Sequence, residues 1–237
     1  MAVSRLSLAA LTALLTLNAL PVFAESDLDE LQDKAKANEW RLVKSDTLHH
    51  IKAFDRRDDG RRLHSYRLEA VLDAPMEQVA RVHLAISDYP RWYWQVEEAK
   101  IVKQVSPTEF VYYIKHRAPV TLPDRDSYVR VELEPYTAKR GYMQFKTTAV
   151  PDFMPPKPPL VRMLSENITM KWTPMGKEKT MLEAEGTIDI GGDVPNWAIN
   201  ALQRQAPYTT IVGLQRFLAT PASKDVGKTL PFTIFGE

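Results

Sequence analysis

The five histidines, His49, His50, His64, His83 and His116, come first, because imidazole is both a common metal ligand and the side chain best suited to moving protons near neutrality. No two of them stand at a helix or loop spacing that brings both onto one ion. His49 and His50, read as neighbours on a strand, face opposite sides. A metal centre is not expected. No cysteine is present, which excludes disulfides, thiolate ligands, a thiol nucleophile and a lipidated cysteine anchor. No serine sits in a Gly-x-Ser-x-Gly elbow, and the nine glycines form no phosphate-cradling loop. Arg125 and Asp126 resemble a catalytic couple on paper. Neighbouring strand residues diverge in direction, however, so the pair reads as a structural ion pair at a strand start. The sequence thus holds no motif of hydrolysis, phosphoryl transfer or metal chemistry, and no cofactor is expected.

Residues 1–24 read as a cleaved secretory signal peptide. Arg5 precedes an apolar run from Leu6 to Leu20, and Val22-Phe23-Ala24 supplies the small residues of a cleavage site. The run is about 15 residues, short of the roughly 20 that span a bilayer. The Gram-negative periplasm is the expected destination. The 31 basic and 30 acidic residues balance once Arg5 leaves with the signal, and a formally neutral chain gives nucleic acid no reason to bind. The rest is long enough for one well-buried domain, expected as a monomer over residues 25–219 with a tail at 220–237.

A short helix capped by Ser26 opens this domain. Strands are expected at Trp40 to Lys44, His49 to Phe54 and Leu63 to Leu72. Asp73-Ala74-Pro75 then leads into a helix ending near Asp88, with Val79, Val82 and Ile86 on its apolar face. Tyr89-Pro90-Arg91-Trp92-Tyr93-Trp94 packs four aromatics together, too much apolar area to leave in water. Period two returns at Ile101 to Val105, Phe110 to Arg117, Asp126 to Glu134, Gly141 to Thr148, Ile168 to Trp172 and Lys179 to Ile190. Five prolines within 151–159 make a stiff surface loop that joins neither ladder nor helix. Pro195 opens a helix running to about Ala219.

Three local patterns resemble START (StAR-related lipid transfer) domains. They are Asp73-Ala74-Pro75 with Asp88 and Trp92; Ala118-Pro119 followed by Pro123-Asp124-Arg125-Asp126; and Thr187-Ile188-Asp189-Ile190-Gly191-Gly192 with Val194-Pro195 and Asn200. The resemblance spans residues 38 to 219. It implies an α+β helix-grip fold, a curved antiparallel sheet wrapped around a long C-terminal helix, with an internal hydrophobic cavity for one lipid-sized ligand. One departure stands out. Some START proteins carry a cavity arginine six residues beyond the arginine of the Arg-Asp pair; here that position is Val131, and a drier pocket is expected there.

If Val131 faces inward, so do Ser127 and Val129, and on the preceding strand Phe110, Tyr112 and Ile114. Leu182, Ala184 and Ile188 take the inward parity of the last strand. Ile199, Leu202, Ala206, Thr210, Gly213 and Phe217 form one stripe of the final helix, its small members leaving room above a ligand. With Trp92, these are the expected ligand-contacting residues, Gly213 and Phe217 serving as the end of the stripe. Pro207 breaks one helical hydrogen bond and suggests either a gate, with the proline-rich loop as the opposite rim, or a bend of the helix around the sheet. The expected function is periplasmic binding or transfer of a lipid or other hydrophobic molecule, with transient membrane contact and no catalysis. The alternative is a cyclase- or hydratase-like helix-grip enzyme acting in the same cavity through Tyr112 and Ser127.

Overall fold

Alternating side-chain burial builds most of the molecule. The structure, a computed structural model, describes residues 38–58, 64–118, 121–194 and 196–226, without the side chains of 196–198 and 200–204. The expected signal peptide, the helix at Ser26 and most of the tail lie outside the described residues. In chain order the strands are β1 (Arg41–Asp46), β2 (Ile51–Arg57), β3 (His64–Leu72), β4 (Val96–Ser106), β5 (Glu109–His116), β6 (Arg125–Glu134), β7 (Met143–Ala149), β8 (Val161–Arg162), β9 (Ser165–Met175) and β10 (Lys179–Asp189). The α-helices are α1 (Met76–Leu84) and α2 (Asn196–Leu218).

The strands form one curved sheet in the order β1-β2-β3-β10-β9-β7-β6-β5-β4, antiparallel throughout, with β8 adding a short parallel pair beside β6. This is the helix-grip arrangement expected from the sequence. Residues of one parity face the concave side: Ile51, Ala53 and Asp55 on β2, Ser127, Val129, Val131 and Leu133 on β6, Leu182 and Ala184 on β10. Register shifts interrupt β1 at Leu42/Lys44 and β4 at three places. Both are edge strands, and bulges there spoil the flat ladder on which another chain could pair.

The segment expected as one helix to Asp88 is divided. α1 ends at Leu84, Ala85 leaves helical geometry, and Ile86–Arg91 forms a 3-10 turn containing Pro90. Proline has no N–H to donate and disfavours α geometry in the residue before it, so Pro90 weighs against an α-helix in this segment. The turn drives the aromatic cluster inward. Trp92 is 5% exposed, its ring 5.0 Å from Tyr89 and 5.3 Å from His83.

α2 lies on the concave face, and polar hooks fix its second half. Gln215 Nε2 donates to the carbonyls of His49 (2.7 Å) and Val71 (3.1 Å). Tyr208 donates its hydroxyl to Asp46 at 2.5 Å, and Lys44 Nζ stands 3.4 Å from the centre of the Tyr208 ring. His49 and His50 belong to the turn between β1 and β2, not to a strand, with His49 Nδ1 2.7 Å from Asp46. Gly213 allows the closest approach: a Cβ there would collide with the Trp92 carbonyl. Its small size serves helix-to-backbone contact and leaves no space for a ligand, contrary to the reading of the stripe. Beyond α2 the chain stays packed through a 3-10 turn at Pro221–Lys224. Gln78 Nε2 donates to Ser223 Oγ at 2.8 Å, and Val226 is buried.

Candidate functional site

Between the concave face and α2 lies a cavity of about 610 Å³, within the range of small-molecule sites. Leu68 on β3, Ala184 on β10 and Met170 on β9 lie side by side across three strands, and Ile168 and Ile188 extend this apolar wall. Phe145, Tyr89 and His83 contribute at the end where α1 crosses the sheet; Ile199, Ala206, Pro207, Thr210 and Ile211 close it from α2. The rim is formed by Ala118, Leu122, Leu164 and the Gly191-Gly192 turn. Gly191 has φ +63°, and a Cβ there would strike the Arg162 carbonyl, so this turn needs glycine to fold over β8.

Space survives because the wall alternates bulk with small residues. Ala184 stands between its cross-strand partners Met170 and Leu68, and Ala206 faces it from the helix side of the same cavity. α2 runs unbroken through Pro207, whose ring lies on the cavity.

The cavity is not uniformly apolar. Glu166, on the inward face of β9, is 2% exposed and lines it. Burial lifts its pKa to about 7, opposed by the Ser127 hydroxyl, which favours the ionised form. The Ser127 contact falls short of full hydrogen-bond geometry, for among the described residues neither Ser127 Oγ nor Glu166 Oε2 has a hydrogen-bond partner. Tyr66, Tyr89, Tyr93 and Tyr112 surround this carboxyl, and burial first, then its charge, pushes their phenols well above the ordinary value. His83 and His116 are held neutral by burial, down to about 3 and about 4, the second opposed by a hydrogen bond with the Trp94 backbone. Arg125 also faces the cavity; its Nη1 donates to the Pro123 carbonyl, and its Nε has no partner.

Tyr112, Ala184, Ile188, Ile199, Ala206 and Thr210, all expected from the sequence, line the cavity. Trp92, Phe110, Ile114, Ser127, Val129, Val131 and Leu182 do not: they are buried, but in the closed core. The reason is that inward parity only says which face a residue occupies. Part of that face is plugged by the aromatic turn, with Tyr89 5.9 Å from Tyr112, and part by α1, whose His83 lies 4.9 Å from Trp172. The Leu202 side chain lies outside the described residues.

Three further expectations are corrected. Asp126 pairs with Arg162, at 2.8 and 3.0 Å, and not with Arg125, because β8 brings Arg162 against the outer face while Arg125 turns inward. The proline-rich loop packs on that outer face, Phe153 5.3 Å from Tyr128, and does not line the rim. The dryness expected at Val131 has no bearing on the cavity, because Val131 is fully buried in closed core, and the polar groups of the cavity, Glu166 and Arg125, stand elsewhere. Glu166 lies two residues before the strand expected from Ile168, and the alternation Glu166, Ile168, Met170, Trp172 is the sequence signal that extends the strand to it.

Comparison with known proteins places this geometry. The START-domain family profile matches residues 23–220. A Pseudomonas aeruginosa protein described as uncharacterised is 23% identical over 181 residues, covering 76% of this chain and 87% of that one. The crystal structure of a STAR-related lipid transfer protein fragment from Xanthomonas axonopodis is 24% identical and covers 76% of this chain and 99% of that chain, with a TM-score of 0.66. Human STARD10 is 18% identical and covers 87% of this chain and 83% of its own, with a TM-score of 0.70.

Proposed function

The chain belongs to the START-domain family, whose members bind lipids or other hydrophobic ligands, and on that premise we propose that it takes up one such molecule in the cavity beneath α2 and hands it on chemically unchanged, in the Gram-negative periplasm. The observation that carries this reading is the cavity of about 610 Å³ walled by Leu68, Ile168, Met170, Ala184 and Ile188. Burying about 400 Å² of apolar ligand surface would release around 10 kcal/mol before the entropy of association is subtracted, enough for tight binding without a catalytic group.

Two of the polar groups, His83 and His116, speak for a binder over an enzyme. A general base must take a proton at working pH and be oriented by a partner. Burial makes His83 and His116 poor bases, and His83 Nδ1 and His116 Nε2 have no partner. Of the pair nominated from the sequence, Tyr112 lines the cavity and Ser127 does not.

Delipidated protein added to donor vesicles carrying 1,6-diphenylhexatriene should speed the appearance of the fluorophore in acceptor vesicles in proportion to protein concentration. No uptake and no acceleration would refute binding and transfer together. Release of the protein by osmotic shock tests the compartment separately.

A further inference from the structure

Glu166 is the most costly side chain in the cavity. A buried carboxyl without a partner forfeits the hydrogen bonds it made to water. Among the described residues its Oε2 has none, the adjacent Ser127 Oγ has none, and no cation forms an ion pair with it. An apolar residue at 166 would fill the same place at lower cost if filling were all that was needed. Glu166 sits near the start of β9, close to Leu164 of the cavity lining, while Ile168 and Met170 continue the same face into the apolar interior.

The geometry points to Glu166, with Ser127 behind it in the closed core, as a polar station for the uncharged, hydroxyl-bearing end of a lipid whose apolar body lies against Ile168, Met170 and Ala184. The inference rests on the binding function proposed above and names the class of ligand. A hydroxyl both donates and accepts, so it can serve the carboxyl in either protonation state. A carboxylate or phosphate headgroup would bring a second negative charge into a site that already penalises one. The facing groups do not relieve that: Tyr66, Tyr93 and Tyr112 are phenols that remain protonated, and Tyr89 donates its hydroxyl to the His83 carbonyl at 2.9 Å. The rival headgroup site is Arg125, whose unpartnered Nε could receive an anion.

The test is displacement of 1,6-diphenylhexatriene by dodecane, dodecan-1-ol, dodecanoate and dodecylammonium at about pH 8, where Glu166 is mostly ionised. Dodecan-1-ol should bind about tenfold more tightly than dodecane and than dodecanoate. Glu166→Leu should cost dodecan-1-ol about tenfold while leaving dodecane unchanged. Glu166→Gln, which keeps a donor and an acceptor, should hold dodecan-1-ol within about threefold and strengthen dodecanoate. Should Glu166→Leu fail to fold, Glu166→Gln keeps the test: its gain in dodecanoate affinity is expected only if the carboxyl meets the headgroup. Dodecanoate as the tightest ligand would move the headgroup to Arg125, dodecylammonium as the tightest would make the site an ion-pair site, and equal affinity across the series would leave no station; each overturns the inference. If diphenylhexatriene itself does not enter the cavity, the binding function and this inference fall together.

Discussion

Glu166 makes stability depend on pH in a way that can be isolated. In the unfolded chain its carboxyl titrates at the ordinary 4.5, and in the folded protein at about 7. Below 4.5 both states are protonated and the group is neutral toward folding. As pH rises toward 7 the unfolded chain releases the proton while the folded protein retains it, and stability falls. The interval corresponds to about 3 kcal/mol, lost by the time pH passes about 7. His83 and His116, depressed from 6.5 to about 3 and about 4, act in the opposite sense: their contribution is complete above 6.5 and disappears as pH falls through those values. A wild-type curve therefore mixes both effects. Subtracting the curve of Glu166→Gln cancels the histidines, because Gln does not titrate. Urea unfolding of delipidated protein from about pH 4.5 to 8 should show wild type losing about 3 kcal/mol relative to Glu166→Gln, or roughly 6 to 12 °C in Tm for a domain of this size. A difference that stays flat across that range would mean that Glu166 has a partner or water contact, and the isolation argued for it would be wrong.

Trp92→Ala should destabilise the protein by about 3 to 5 kcal/mol in chemical denaturation, since the ring is packed between Tyr89, Tyr93 and His83; a loss below about 1 kcal/mol would place it at the surface. Ala184→Phe should block diphenylhexatriene uptake with the fold kept, whereas Val131→Trp, in closed core, should cost at least the 1 to 3 kcal/mol of overpacking and melt early. Tyr208→Phe removes the bond to Asp46 one residue past Pro207 and should speed ligand exchange in stopped flow, while Pro207→Ala should slow it; identical exchange rates in both would remove the gate. Arg162→Met strands a buried Asp126 carboxylate and should cost about 3 to 5 kcal/mol, with early proteolysis in the proline-rich loop as the local readout.

The sheet was legible because its strands keep period two, and α2 because it is long and ends cleanly. Segments where two local rules compete were not. Val79, Val82 and Ile86 suggest one helix, but the chain leaves helical geometry at Ala85 and enters a 3-10 turn that no apolar spacing reveals. β8 has two residues, too few for a period, yet it carries Arg162, and so the partner of Asp126 could not be found from the sequence. The cavity wall was half legible for a related reason. Parity identifies the concave face, but which inward residues meet open space depends on where the Tyr89 turn and α1 come to rest, and long-range packing decides that. Gly213 shows the converse, a small residue whose purpose is contact with the Trp92 carbonyl. Glu166 was the largest omission, because a polar Ser-Glu-Asn start does not look like a strand until its register with Ile188 is known.

The central claim is that the space beneath α2 holds a lipid. Native mass spectrometry of the protein purified from its own cells, without detergent, tests it most directly: the account predicts one non-covalent adduct per chain, a lipid with a hydroxyl-bearing end, absent from Ala184→Phe. Bare protein mass from that source, together with no adduct after incubation with vesicles, would contradict it.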